Sequence, residues 1–474
     1  MHAHRELDEV GDAELGSGLS LIGLIEGSAA CTTPFDTHGG VALFTVVTLY
    51  TFIGLAIVCD EYFCPSLEII SEALHLSEDV AGATFMAAGS SAPELFTALV
   101  TIYVAPGDQG VGTIVGSAIF NLCVIVGLSC LCAGAVLDLF WWPLTRDSVV
   151  YGVSIVLMLI FMADGEVTSV EAATMTLLYV VYLLIMVVNP RIVRWIAPDQ
   201  AQATVEGESA GLEMSPVRER SDSAVHLEDG EKATPESIWG ESDLDTATHG
   251  TDRPSKETST SAPEAAPAEE EEEKPGCLGK IYGIIAKPME LILYFTIPDC
   301  RTDFWKRAYF LTFLMSILWI GGLSFIMVDF ASRAACVLGV SELVIGLVVL
   351  SVGTSVPDAL SSVIVAKQGQ GNMAVCNALG SNIFNILLGL GLPWWLNIVR
   401  TKENQAVPGI REMGEPLGLL LFYLALFIGI IYFGRWKLSP KVGWALLFCQ
   451  LAYTTWTLLR HLPTKSPLIG MPWD

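Results

Sequence analysis

Positive charge is scarce in this chain. Its 474 residues hold 25 Lys and Arg against 51 Asp and Glu, and no basic run could neutralise a row of phosphates. Nucleic acid is thereby excluded as a partner. Charge of either sign is sparse too: 16% of residues are charged and 52% hydrophobic, whereas soluble domains carry about a quarter charged residues. The chain reads as an integral membrane protein. Paired CxxC elements are missing, so the 11 cysteines cannot close a zinc site and read as small buried hydrophobes. Which of them pair, Cys31 with Cys336 for instance, is left open. Residues 1–40 lack a basic segment followed by a long apolar run, and Leu19 to Ile25 is too short for one, so a signal is expected to be absent or removed.

What the chain has is long apolar runs. A span needs about 20 apolar residues, and ten candidates lie near 41–59, 80–104, 113–134, 148–163, 169–189, 308–328, 343–366, 375–397, 416–434 and 441–459. Five precede a long gap and five follow, and an odd number per half inserts the second half upside down. The expected fold is all-α: ten transmembrane helices as two inverted five-helix repeats. The gap, about 196–276, is rich in Ser, Thr, Glu, Pro and Ala. Asp199 to Lys274 holds 21 acidic and 6 basic residues and ends in the run Glu269 to Glu273. Such a segment cannot offset its ordering entropy by apolar burial and reads as disordered. Arg191, Arg194, Lys280, Lys287, Arg301, Lys306 and Arg307 flank it, which places it in the cytoplasm and the amino terminus outside. The plan is an extracellular segment 1–40, a first repeat 41–189, a cytoplasmic loop 190–306, a second repeat 307–460 and a tail 461–474.

The halves share more than parity. At an offset of 264, Gly82, Gly89, Ser91 and Pro93 fall on Gly346, Gly353, Ser355 and Pro357, and Glu94 falls on Asp358. Without a gap, Gly116, Ser117, Ile119, Phe120 and Asn121 then fall on Gly380, Ser381, Ile383, Phe384 and Asn385, and Gly127-Leu128 on Gly391-Leu392. Glycines, prolines and polar residues repeating at one offset mark a duplication.

Chemistry follows from the residue types. Pro93 and Pro357 lack an N–H and free the carbonyls of Gly89 and Gly353. In lipid, freed carbonyls are tolerated only inside protein or beside a wet cavity. Ser90, Ser91, Thr354 and Ser355 surround the breaks, and a carboxylate follows each. A mid-span carboxylate is costly unless paired or coordinating, which singles out Glu94 and Asp358. With Asn121 and Asn385 they form a cage of hard oxygens suited to Na⁺ or to Ca²⁺, which takes about 6–8, while Ser117 and Ser381 read equally as ligands or as packing. Such clusters are commonly kink or packing devices, and the asparagines could be interhelical glue; duplication with an acid in each copy favours a site. Glu61, Glu68, Glu72, Glu78, Asp79 and His75 read as ordinary solvated residues.

The stretches Cys59 to Leu67, Asp79 to Glu94 (DVAGATFMAAGSSAPE), Gly112 to Asn121 (GTIVGSAIFN), Thr296 to Arg301 (TIPDCR) and Gly353 to Asp358 (GTSVPD) closely resemble the potassium-dependent sodium/calcium exchanger family. The resemblance covers both halves. It implies ten helices, Ca²⁺ extrusion driven by Na⁺ entry, and liganding roles for Glu94, Asp358, Ser90, Ser91, Thr354, Ser355, Ser117, Asn121 and Ser381. One departure is plain. Where that family usually reads GSNIFD, with an aspartate tied to K⁺, this chain reads Gly380-Ser-Asn-Ile-Phe-Asn385, as potassium-independent exchangers do.

The expectation is therefore a Na⁺/Ca²⁺ antiporter of the plasma membrane, with an organelle membrane as the alternative. It needs no cofactor; its partners are its ions and the bilayer, and its oligomeric state is unread. K⁺ co-transport is open, with Asn385 weighing against it. The first and sixth spans, without mid-span charges, are expected to slide across the ligand-bearing helices. A proton/calcium exchanger is the nearest rival. An intramembrane aspartyl protease is remote, because one acid is Glu94 and both follow proline.

Overall fold

The structure, a computed structural model, describes residues 40–74, 87–133, 136–196, 277–302 and 304–461. The amino-terminal segment, Gly82, His75, Glu78, Asp79, the acidic stretch to 276 and the tail after 461 lie outside the described residues.

Helices account for nearly everything described. They are α1 (Val41–Ser71), α2 (Ala92–Tyr103), α3 (Gln109–Cys132), α4 (Trp141–Phe161), α5 (Ser169–Ile196), α6 (Cys277–Thr296), α7 (Tyr309–Leu338), α8 (Glu342–Thr354), α9 (Val356–Lys367), α10 (Gly371–Thr401), α11 (Ile410–Phe433) and α12 (Pro440–His461). Among the described residues eight helices are long and apolar enough to span a membrane, and the pair α8–α9, bent by 44°, makes a ninth. The remaining predicted run holds the turn Ala87–Ser90 and the shorter apolar α2. The chain is thus an all-helical multi-pass protein.

Burial sorts these helices. The apolar windows of α3 and α10 are 78% and 72% buried, against 22% for α5 and α12. The first two are central, and the outer ones turn Leu177, Leu184, Phe448 and Leu451 outward, as lipid-facing residues do. Close approach at the centre requires glycine: a Cβ at Gly116 of α3 would run into the Leu347 carbonyl of α8. Two large apolar clusters result among the described residues, beside a small one of Phe44, Ala334 and Val337. One gathers Leu55 and Val58 of α1, Leu293 of α6 and Leu323 and Met327 of α7. The other gathers Ile114 and Ile119 of α3, Tyr151 of α4, Leu387 of α10 and Leu420 of α11.

The duplication is visible in the elements. Shifted by 264, α2 coincides with α9, and the π-helical turn Asn121–Ile125 inside α3 starts in register with Asn385–Leu390 inside α10. Four two-residue strands add to it: β1 (Leu137–Asp138) pairs antiparallel with β4 (Lys437–Leu438), and β2 (Glu166–Val167) with β3 (Gln405–Ala406). The first strand of each half therefore joins the second strand of the other.

Some boundaries differ from the sequence reading. Helix α4 begins at Trp141 because Arg146 and Asp147, which ended the apolar run, are buried as a pair at 2.8 Å. Helix α7 continues to Leu338 because Asp329 and Arg333 pair one turn apart at 2.9 Å, and it stops at Gly339 in the left-handed conformation with φ 68°. The region expected to be loop to residue 306 contains α6, whose Met289 touches α1 at Gly54. Two motifs given no chemistry also meet: Arg301 donates to Glu61 at 2.6 Å and to Asp299. Burial opposes that guanidinium's charge, and the two carboxylates outweigh it, holding its pKa above the ordinary value.

Candidate cation site

Each broken helix restarts on a proline. Ser91 (φ −93°, ψ 10°) and Ser355 (φ −86°, ψ 5°) leave the helical region and cap α2 and α9, so Pro93 and Pro357 stand in the first turn, where no intrahelical N–H is needed. In both halves a serine at the break and an acid in the turn after it are without exposed surface.

The two breaks clasp each other. Ser355 donates to Glu94 Oε1 at 3.0 Å, with Thr354 also in reach. In return Asp358 lies in reach of Ser90 and Ser381, and Asn121 Nδ2 approaches its Oδ2 at 3.4 Å. Each carboxylate is thus held by groups of the opposite half, Asp358 also by Ser381 of its own. Glu94, Asp358, Ser91, Ser117, Asn121, Thr354, Ser355, Ser381 and Asn385 have no exposed surface, and Ser90 has 9%.

All ten candidates are buried; hydrogen bonds bring Glu94 together with Ser355 and Thr354, and Asp358 with Ser90, Ser381 and Asn121, while Ser91 Oγ and the Asn385 amide have no partner among the described residues. Ser117 donates to the Ile114 carbonyl of its own helix at 3.0 Å, whereas Ser381 accepts from Asn121 across the interface at 3.0 Å. The sequence reading missed Asn382, also fully buried, which accepts from Asn121 at 2.9 Å. Its signal was an amide with only Ala118 opposite in the repeat.

The donor set suits a cation. Ser91 Oγ, Glu94 Oε2, Asn121 Oδ1, Asp358 Oδ1 and Asn385 Oδ1 are buried and have no hydrogen-bond partner among the described residues. Unpaired buried oxygens are costly, and these five are explained if an ion binds them. Two are carboxylates, a charge of −2 that one Ca²⁺ or two Na⁺ would balance, and hard oxygens of flexible number are what Ca²⁺ accepts. With mixed-half ligands, the arrangement can bind alkali or alkaline-earth ions in a bundle of membrane helices, the design of a cation transporter.

Comparison with known proteins gives the same class. Residues 44–188 and 308–459 match the family described as sodium/calcium exchanger protein. Sodium/potassium/calcium exchanger 5 of Homo sapiens is 35% identical over 90% of this chain and 84% of its own length. Sodium/potassium/calcium exchanger 3 of Rattus norvegicus is 33% identical over the same shares, 90% and 84%. Among solved structures, native YfkE superposes with a TM-score of 0.50 over 90% of this chain and 97% of its own at 15% identity, a likeness of fold. The chain belongs to the sodium/calcium exchanger family, among its potassium-dependent members. It is a transporter and an integral multi-pass membrane protein.

Proposed function

We propose that the protein exchanges Na⁺ for Ca²⁺ by alternating access around a midplane site built on Glu94 and Asp358. The observation that carries this is the pair of register-matched carboxylates, each fully buried with one oxygen unpartnered among the described residues. Asn121, Asn385, Ser90, Ser91, Thr354, Ser355 and Ser381 complete the ligand set, with Ser117 at its edge. Both ions compete for the same oxygens, and the empty cage, carrying −2, is unfavourable to move through a low-dielectric barrier, so the protein reloads before it reorients.

Ten spans in two inverted repeats are the frame we infer, with boundaries at 41–189 and 307–460 around a cytoplasmic loop. The reciprocal β1–β4 and β2–β3 pairings and the coinciding bounds of α2 and α9 support it. Cys336, at the end of α7 that this topology puts outside, is disulfide-bonded, as an oxidising compartment allows. Helices α1 and α7 pack on one another, in an apolar cluster that they share with α2, α6 and α8, and are the moving elements we infer. The plasma membrane is the site of action we infer.

The named relatives carry potassium as well. Here Asn385 replaces the third acid of their usual pattern, and we infer a weak K⁺ requirement. Ion substitution in reconstituted liposomes tests the reading: Ca²⁺ uptake driven by an outward Na⁺ gradient supports it, and uptake that follows a pH gradient and ignores Na⁺ refutes it.

A further inference from the structure

An asparagine amide has an oxygen at one end and an NH₂ at the other, and only the oxygen can ligate a cation. Something must decide which end of Asn121 is left free. Two hydrogen bonds do so in sequence. The Ala118 carbonyl can only accept, so the end of Asn382 that meets it at 3.2 Å is Nδ2. The other end of Asn382, Oδ1, then accepts from Asn121 at 2.9 Å, which makes the Asn121 atom there Nδ2. Asn121 Oδ1 is left buried and without a partner among the described residues.

Tyr151 of α4 completes the lock. Fully buried, it accepts from Asn382 Nδ2 at 3.2 Å and lies 3.5 Å from the same Ala118 carbonyl. The second half lacks this device. Opposite Asn382 in the repeat stands Ala118 itself, and neither amide atom of Asn385 is hydrogen-bonded among the described residues.

We propose that Asn382 and Tyr151 are positioning residues for ion binding: they fix the Asn121 amide with its oxygen free, so that Asn121 is a pre-set ligand and Asn385 an adjustable one. The inference rests on the exchange reading above. A ligand already turned toward its ion is not reoriented at the moment of binding, and affinity gains accordingly.

The test measures initial Ca²⁺ uptake into Na⁺-loaded liposomes against external Ca²⁺, for the full-length wild type, Tyr151→Phe, Asn382→Leu and the double variant. Tyr151→Phe deletes a single hydroxyl; it should raise half-saturating Ca²⁺ by about 3- to 10-fold, the weight of one ordinary hydrogen bond, with the maximal rate retained. The double variant should match Asn382→Leu alone, because the tyrosine acts through the asparagine. If Asn382→Leu fails to reach the membrane, Tyr151→Phe decides by itself. An unmoved half-saturation in Tyr151→Phe, or a fall in maximal rate alone, overturns the inference and leaves exchange standing, as do effects that multiply in the double variant. A wild type without Na⁺-driven uptake overturns both.

Discussion

The Ser355 hydroxyl of the second half donates to Glu94 Oε1 of the first at 3.0 Å, so each break is completed by the other. Neither half is a site alone. This reciprocity ties the acids of the two copies into one hydrogen-bonded cluster, the feature on which the proposed single ion site rests.

Away from the site, Asp147 is 1% exposed and is held by Arg146 and by Tyr182, whose hydroxyl donates to it at 3.2 Å. Arg146→Met leaves a buried carboxylate without its counter-charge and should destabilise the protein by about 3–5 kcal/mol. Arg146→Met with Asp147→Leu should recover most of that loss. Thermal unfolding in detergent distinguishes the outcomes; equal losses in the single and double variants would contradict the account.

Gly116 lets α3 lie against α8, with the Leu347 carbonyl and the Ser351 side chain where a Cβ would be. Gly116→Ala should cost about 1–3 kcal/mol by overpacking. At its register partner Gly380 a Cβ would lie 4.0 Å from the Tyr182 hydroxyl, so Gly380→Ala should cost much less. Unfolding temperatures of the two variants make the comparison.

The acidic stretch 205–270 lacks the apolar content to pack onto the bundle. Its deletion should leave Na⁺-driven Ca²⁺ uptake intact. Loss of flux in a deletion variant that reaches the membrane would show a structural role for the segment.

Much of the candidate site was legible because its signals are residue types that mean little singly and much in register: Gly89 with Gly353, Pro93 with Pro357, Glu94 with Asp358, Asn121 with Asn385. The same device hid what lacks a counterpart. Asn382 faces Ala118 in the repeat, so its only signal is an unmatched amide, and Tyr151 is an aromatic inside an apolar run, which carries none. Apolar runs placed the spans, but their ends depend on whether a charge finds a partner: Arg146 with Asp147 and Asp329 with Arg333 extend helices that a count of uncharged residues cuts short. The two-residue strands are too short for alternation to reveal.

Asn385 tests the charge argument. An amide offers a cation one neutral oxygen, where a carboxylate offers two anionic ones. Uptake with K⁺ replaced by choline should proceed nearly as with K⁺, and Asn385→Asp should introduce a K⁺ requirement. A wild type that runs only with K⁺ would mean that hydroxyl and amide oxygens suffice for that ion.

The most direct test of the central claim is Na⁺-driven Ca²⁺ uptake by Glu94→Gln and Asp358→Asn, read with their thermal stability. Each substitution removes half the charge that holds Ca²⁺ and a buried carboxylate that is costly when no ion is bound. Both variants should lose uptake while unfolding at or above the wild-type temperature. Wild-type uptake in either one would contradict a site built on Glu94 and Asp358.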